Sequence, residues 1–323
     1  VTEKPKQKVW GRWVVLAAIL VGIYLFYVAK IPYIMPGVFL PAEKVFEIAG
    51  FPITNTLIAL FFVDLIVLAL AFGVKRAIAS GKNILTGFSG AIEALVDMLY
   101  SMTEGTAGKW AKAIFPWFVT IMLLVLVANW MEMIPGIETV GLIEPAPAGE
   151  HGEFTTTQIG PFTGIMKPLS EEGELVKFVP YVRVVSTDLN FTLAIALVVV
   201  VMIQVYGIRS QGLAYFSKFW NTGTMFTKPI FGVIDFGVGL LEIVSEFSKV
   251  LSFAFRLFGN IFAGSVLLFV IGSLVPVFAQ SIFYLLEFFV GAIQAFVFGL
   301  LATTFMAQAT QGHGGEHHEE AHA

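Results

Sequence analysis

The chain has 323 residues, of which 57% are hydrophobic and only 13% charged, well below the roughly 25% charged content of soluble domains. That composition, with a mean hydropathy of +0.83, excludes an ordinary soluble enzyme and reads as an all-α polytopic membrane protein. Cysteine is absent, which excludes disulfides, thiolate metal sites and cysteine nucleophiles.

A helix needs about 20 apolar residues to cross the hydrocarbon core. In chain order, the predicted spans are Trp13–Ala29, Asn55–Val74, Ile114–Ile134 and Asp188–Tyr206, followed by two longer stretches, Pro229–Val275 and Pro276–Ala309. At 1.5 Å per residue these last two are about 70 and 50 Å long, so each must tilt strongly or break. Lys4, Lys6, Lys8 and Arg12 precede the first span, and Lys75, Arg76, Lys82, Lys109 and Lys112 lie between the second and third. Arg209, Lys218 and Lys228 follow the fourth. This alternation places both termini in the cytoplasm. The first span reads as a retained anchor rather than a cleaved leader, since no A-x-A site follows it. Asn83–Tyr100 carries Ile84, Phe88, Ile92, Leu95 and Leu99 at helical spacing, as an amphipathic helix on the cytoplasmic surface would. Pro135–Ser186 is rich in Gly, Pro and Glu; short strands are possible in EFTTTQI, but an irregular external cap is the expectation. The divisions are thus 1–31 (basic segment and first span), 32–134, the acidic external loop 135–187, the polar-striped helices 188–311, and a His/Glu tail 312–323 expected to be disordered.

The stretch LSFAFRLFGNIFAG raises the functional question, because Arg256 cannot lose its proton. An arginine at the bilayer centre costs from roughly 3 to over 10 kcal/mol and marks a functional site by default. Glu242, Ser245, Lys249, Ser252, Arg256 and Asn260 recur at intervals of three and four and share one helix face. Gln280, Glu287 and Gln294 share a face of the last helix. Asn129 and Glu132 close the third span, and Asp188 and Asn190 open the fourth from the same side. Polar groups thus approach Arg256 from outside, and Glu242, Glu246 and Lys249 approach it from the cytoplasm. Other readings stay open. Arg256 can be a pin bonded to carbonyls or to Glu287, and Ser245 and Ser252 can bond back to their own helix. Asn129 and Glu132 can mark a mere helix end, and Asp188 a mere N-cap. Asp64, mid-span, must be neutral or meet another subunit.

No Walker-type loop, GxSxG or HExxH occurs, so neither nucleotide nor peptide hydrolysis is expected of this chain alone. No cofactor, metal site or nucleic-acid partner is expected either. The HGGEHHEEAH tail reads as solvated rather than metal-binding.

FRLFGNIFAG, preceded by LLEIVSEFSKVLS and followed by AIQAFVFGLL, resembles subunit a of the membrane sector of rotary F-type ATP synthases. STDLNFTLAIAL and LVLVANWMEMIP match two further stretches of that family, so the likeness runs from about Asn55 to Ala309. The resemblance implies a bacterial plasma-membrane stator, without catalysis of its own, whose partners are a rotating c-subunit ring, b subunits, the rest of the complex and membrane lipid. It implies two half-channels that load and unload ions, most simply protons, on ring carboxylates. Arg256 falls on the family's essential arginine. Asn260 and Gln294 match polar residues around it, and Glu242, Ser252 and Lys249 match the polar face of its helix, Glu242 lying on the cytoplasmic path. Asn129, Glu132, Asp188 and Asn190 match groups of the external path. Some members carry an acid and a histidine where this chain has Ser265 and Glu287, which makes Glu287 the expected last relay of proton uptake. A stand-alone transporter or channel and a sodium-coupled version of the same subunit are the alternatives. The first lacks support from internal symmetry.

Overall fold

The computed structural model describes residues 42–79, 88–134, 137–138, 140–145, 155–159, 162–166, 176–219, 229–274 and 278–311, with isolated positions at 13, 17, 20, 21 and 24. The first span as a whole and the 312–323 tail lie outside the described residues.

The described chain opens with a hairpin of β1 (Lys44–Ile48) and β2 (Phe51–Thr54). Its two connecting residues, Ala49 and Gly50, both have positive φ, 52° and 83°, the geometry of a tight I′ turn. Helix α1 (Asn55–Ala79) follows directly, and α2 (Phe88–Ala107) runs through a 3-10 turn, Gly108–Trp110, into α3 (Ala111–Trp130). Four strands come next: β3 (Gly141–Pro145), β4 (Thr155–Ile159), β5 (Phe162–Met166) and β6 (Val176–Pro180). They pair as nested antiparallel ladders, β3 with β6 and β4 with β5. The chain then forms α4 (Leu189–Gln211), a 3-10 segment (Gly212–Lys218), α5 (Pro229–Leu274) and α6 (Phe278–Thr310).

Among the described residues, five segments are long and apolar enough to cross a membrane: 55–76, 93–133, 189–218, 236–272 and 279–310. The two last helices are each continuous over 46 and 33 residues, so breaking is not how they accommodate their length.

Helix α6 is the hub, packing against α3, α4 and α5. Its buried Ala295, Phe298 and Ala302 share one core with Phe118 and Met122 of α3, to which α4 contributes Ile195, Ala196, Val199 and Ile203. Val250, Phe253, Ala254, Leu257 and Ile261 form the buried stripe of α5, one side of a 3.6-residue period. At the edge, α1 packs mainly on α3 and exposes Phe61, Leu65, Leu68 and Phe72. Asp64 is exposed among them.

One expectation needs correction. The 135–187 loop is not an irregular cap, because its β-branched and aromatic runs (TTTQI, VKFVP) favour pleated pairing and form two ladders. In α2, Leu95 is exposed while Leu99, Thr103 and Ala107 are buried, and the helix packs against α3 and α6.

Candidate ion-translocation site

Helices α5 and α6 run antiparallel in a register fixed by small residues and rings. Gly264 lies against Glu287, Asn260 donates from Nδ2 to Oε1 of Gln294 at 3.2 Å, and the Phe253 ring meets that of Phe298 at 5.0 Å. Arg256 therefore sits one turn beyond the Asn260–Gln294 bond. It is exposed on the face of α5 that also shows Ser252, Phe255 and Asn260. Among the described residues it has no ion pair and no hydrogen bond. The pin reading fails, since Glu287 lies two turns away against Gly264, about 12 Å along the axis at 1.5 Å per residue.

On the Glu287 side the site is built from three elements. Glu132, in the 3-10 turn after α3, accepts a 2.6 Å hydrogen bond from Oγ of Ser265 on α5. The Glu287 carboxylate is packed so closely on Gly264 that any Cβ there would collide with it. Glu287 is buried, with Oε2 unpartnered, and Gln294 is buried with Nε2 unpartnered. Neither Glu132 nor Glu287 has an ion-pair partner among the described residues.

Asn129 and Asp188, also expected here, are occupied in joining elements. Asn129 donates from Nδ2 to the Gly291 carbonyl at 3.1 Å and accepts at Oδ1 from Ser186 at 2.6 Å. Its neighbour Trp130 donates to the Phe288 carbonyl and stacks on the Phe288 ring. Asp188 caps α4 by accepting from the Asn190 N–H at 2.9 Å, and its second oxygen accepts from Oγ1 of Thr56 on α1 at 2.8 Å. The Asn190 side chain is exposed.

On the other side of Arg256 lie two adjoining cavities of about 490 and 320 Å³. Lys249 and Phe305 line both. The smaller reaches Arg256 past Ser245, Ser248 and Ser252, and the larger opens beside Tyr215, Lys218 and Glu242. Lys218 pairs with Glu242 at 2.7 Å and with Glu246 at 3.2 Å, and Lys249 pairs with Glu246 at 2.9 Å. The Lys249 ammonium also lies 5.1 Å over the Phe305 ring. Among the described residues Ser245 and Ser252 show no back-bond to their helix, whereas Ser248 donates to the Val244 carbonyl at 2.9 Å.

The structure thus brings Glu132 and Glu287 near one end of the α5 stripe and Glu242 and Lys249 near the other, with Arg256 between them. Sequence reasoning treated Lys218 only as a topological charge, and saw Ser265 only as a missing acid. The signal for Ser265 was its place on the helix face seven residues below Phe258 and four below Ile261; nothing local pointed to Lys218.

The chain is similar to known proteins over much of its length. The family model described as ATP synthase A chain matches residues 56–307. A protein of Aliarcobacter butzleri (strain RM4018) named ATP synthase subunit a is 28% identical over 195 residues, which cover 59% of this chain and 62% of that relative. With the family match spanning more than three quarters of the sequence, and Arg256 poised between two polar clusters inside it, the chain belongs to the ATP synthase A chain family.

Proposed function

We propose that the chain is the ion-translocating stator subunit of a rotary ATP synthase in the bacterial plasma membrane, carrying protons and not catalytic on its own. The observation that carries this reading is Arg256: a permanent cation, exposed on the polar stripe of an otherwise apolar helix and without a partner among the described residues, midway between two polar clusters. Its partner is then a carboxylate on another chain, the c-subunit ring, which moves past this face. At about 4 Å and an effective dielectric of about 20, such a pair gains on the order of 4 kcal/mol, near three decades in proton affinity. A ring carboxylate that reaches Arg256 therefore gives up its proton. The fixed charge also bars protons from crossing directly between the two clusters.

Uptake runs from the external side through Glu132, Ser265 and Glu287, with Gln294 and Asn260 beside the arginine. Asn129 and Asp188 hold the walls of that path, and Asn190 stands exposed at its mouth. Release runs through Ser252 and Lys249 to the Glu242 cavity, which opens to the cytoplasm along with both termini. The b subunits complete the stator, and α5 and α6 tilt strongly to fit the bilayer. Arginine suits the task better than lysine, which can lose its proton in a dry site.

The test is Arg256→Ala in inverted membrane vesicles. ATP-driven proton pumping is lost while the complex still assembles. Pumping that survives the substitution would sink the proposal.

A further inference from the structure

Glu242 and Glu246 stand one turn apart on α5, where like charges repel. Lys249, the lysine of the same helix, reaches Glu246 only. The cation that reaches both is Lys218, which comes from outside α5, at the end of the 3-10 segment that follows α4. Its backbone is seated with care. Tyr215, one turn earlier, is 2% exposed, and its hydroxyl donates to Oε1 of Gln204 at 2.8 Å. The Tyr215 ring fills the space that a side chain at Gly207 of α4 would need. The Phe219 carbonyl approaches Gly239 of α5 so closely that a Cβ there would lie 2.5 Å away. The Lys218 ammonium itself lies 5.8 Å from the Tyr215 ring centroid and 5.4 Å from that of Phe219. Two glycines on two helices thus leave room for the segment that delivers one ammonium between two carboxylates.

We infer that Lys218 is a positioning residue for proton release: it holds the Glu242 carboxylate against the wall of the 490 Å³ cavity and relieves its repulsion by Glu246. This rests on the reading of Glu242 as a group of the release path. Glu242 has no other ion-pair partner among the described residues. Without Lys218 its carboxylate faces Glu246 uncompensated and leaves its place along the cavity. The 3-10 segment is then a working part of the path, and anything that unseats it acts on Glu242 from a distance.

The test uses vesicles that carry the assembled membrane sector, freed of its soluble sector, with proton conduction measured under an imposed potential. Lys218→Met lowers conduction roughly tenfold, the scale of one coupled charged contact, without loss of subunits. Lys218→Arg keeps most of it, and Lys218→Met with Glu246→Gln recovers part, since the repulsion has gone. Gly239→Val, which touches neither carboxylate, reproduces Lys218→Met. Should Lys218→Met fail to assemble, Lys218→Gln decides in its place, keeping a donor but not the charge. Conduction that stays at the parent level in the charge-removing variant overturns the inference, as does a fall that Lys218→Arg shares in full. Glu242→Gln separates the two levels. If it lowers conduction while Lys218→Met does not, only the positioning role falls; if Glu242→Gln has no effect, the release path itself is wrong.

Discussion

The two ends of the polar stripe on α5 hold their carboxylates in opposite ways. At the Glu287 end there are two acids, a serine and two amides, and among the described residues no cation pairs with either acid. At the Glu242 end both acids are tied to lysines, at 2.7 to 3.2 Å, beside open cavities. A proton that arrives at Glu132 or Glu287 breaks no ion pair. One that lingers at Glu242 or Glu246 must weaken one. The asymmetry suits uptake at the first end and hand-over to water at the second, with the unpaired guanidinium between them.

Substitutions at the uncompensated end break this comparison most severely. Gly264→Leu drives a side chain into the space of the Glu287 carboxylate and is expected to abolish pumping; overpacking of this kind costs about 1–3 kcal/mol or more, so assembly is measured alongside. Glu287→Gln keeps the shape and removes the titratable group. Conduction should fall roughly 100-fold, the scale of losing one positioned acid or base, while Glu287→Asp retains a measurable part. An unchanged rate in Glu287→Gln would remove the first end from the path.

A second set of substitutions sharpens the comparison by separating path from scaffold. Asn129→Ala strands the Gly291 carbonyl and the Ser186 hydroxyl, a loss of about 1–3 kcal/mol that thermal unfolding of the detergent-solubilised complex should register. Asp188→Ala removes the α4 cap and the Thr56 bond, for about 1 kcal/mol. In both, conduction per assembled complex stays within a few-fold of the parent.

The smallest effect belongs to Glu138. Burial holds its carboxyl above the usual carboxylate range, against the opposing pull of the Val184 N–H and of Arg183. The folded state thus binds this proton more tightly than the unfolded state. The associated stability is present below the ordinary carboxylate value of about 4.3 and is lost as pH rises through the raised value. Glu138→Gln should flatten that part of the stability profile, and a slope unchanged by the substitution would contradict the assignment.

Much of the architecture was legible in the sequence. The expected bounds of α5 and α6, from Pro229 and from Pro276, differ from the observed ones by a few residues at most, because proline punctuates both starts and no further proline interrupts either helix. The likeness traced from Asn55 to Ala309 agrees with the family match over 56–307. The hairpins were not legible. Ala49 stands where Asn or Gly would announce an I′ turn, and the β3–β6 ladder joins strands 30 residues apart. Within the site, residues on one helix face could be grouped by spacing alone. Glu132 with Ser265, Asn129 with Gly291, and Lys218 with Glu242 come from different elements, and no local period encodes such pairs. Asp188 as a cap was readable because its partner is two residues away; its bond to Thr56 was not.

The central claim is that Arg256 divides two water-accessible half-paths that open on opposite sides. Because the chain has no native cysteine, single cysteines can be placed along α5 and labelled with a small, membrane-impermeant thiol reagent from one side at a time. The account predicts that Ser265→Cys reacts only from the external side, that Ser245→Cys and Ser248→Cys react only from the cytoplasmic side, and that the change occurs across Arg256. Labelling of all three positions from the same side would contradict it.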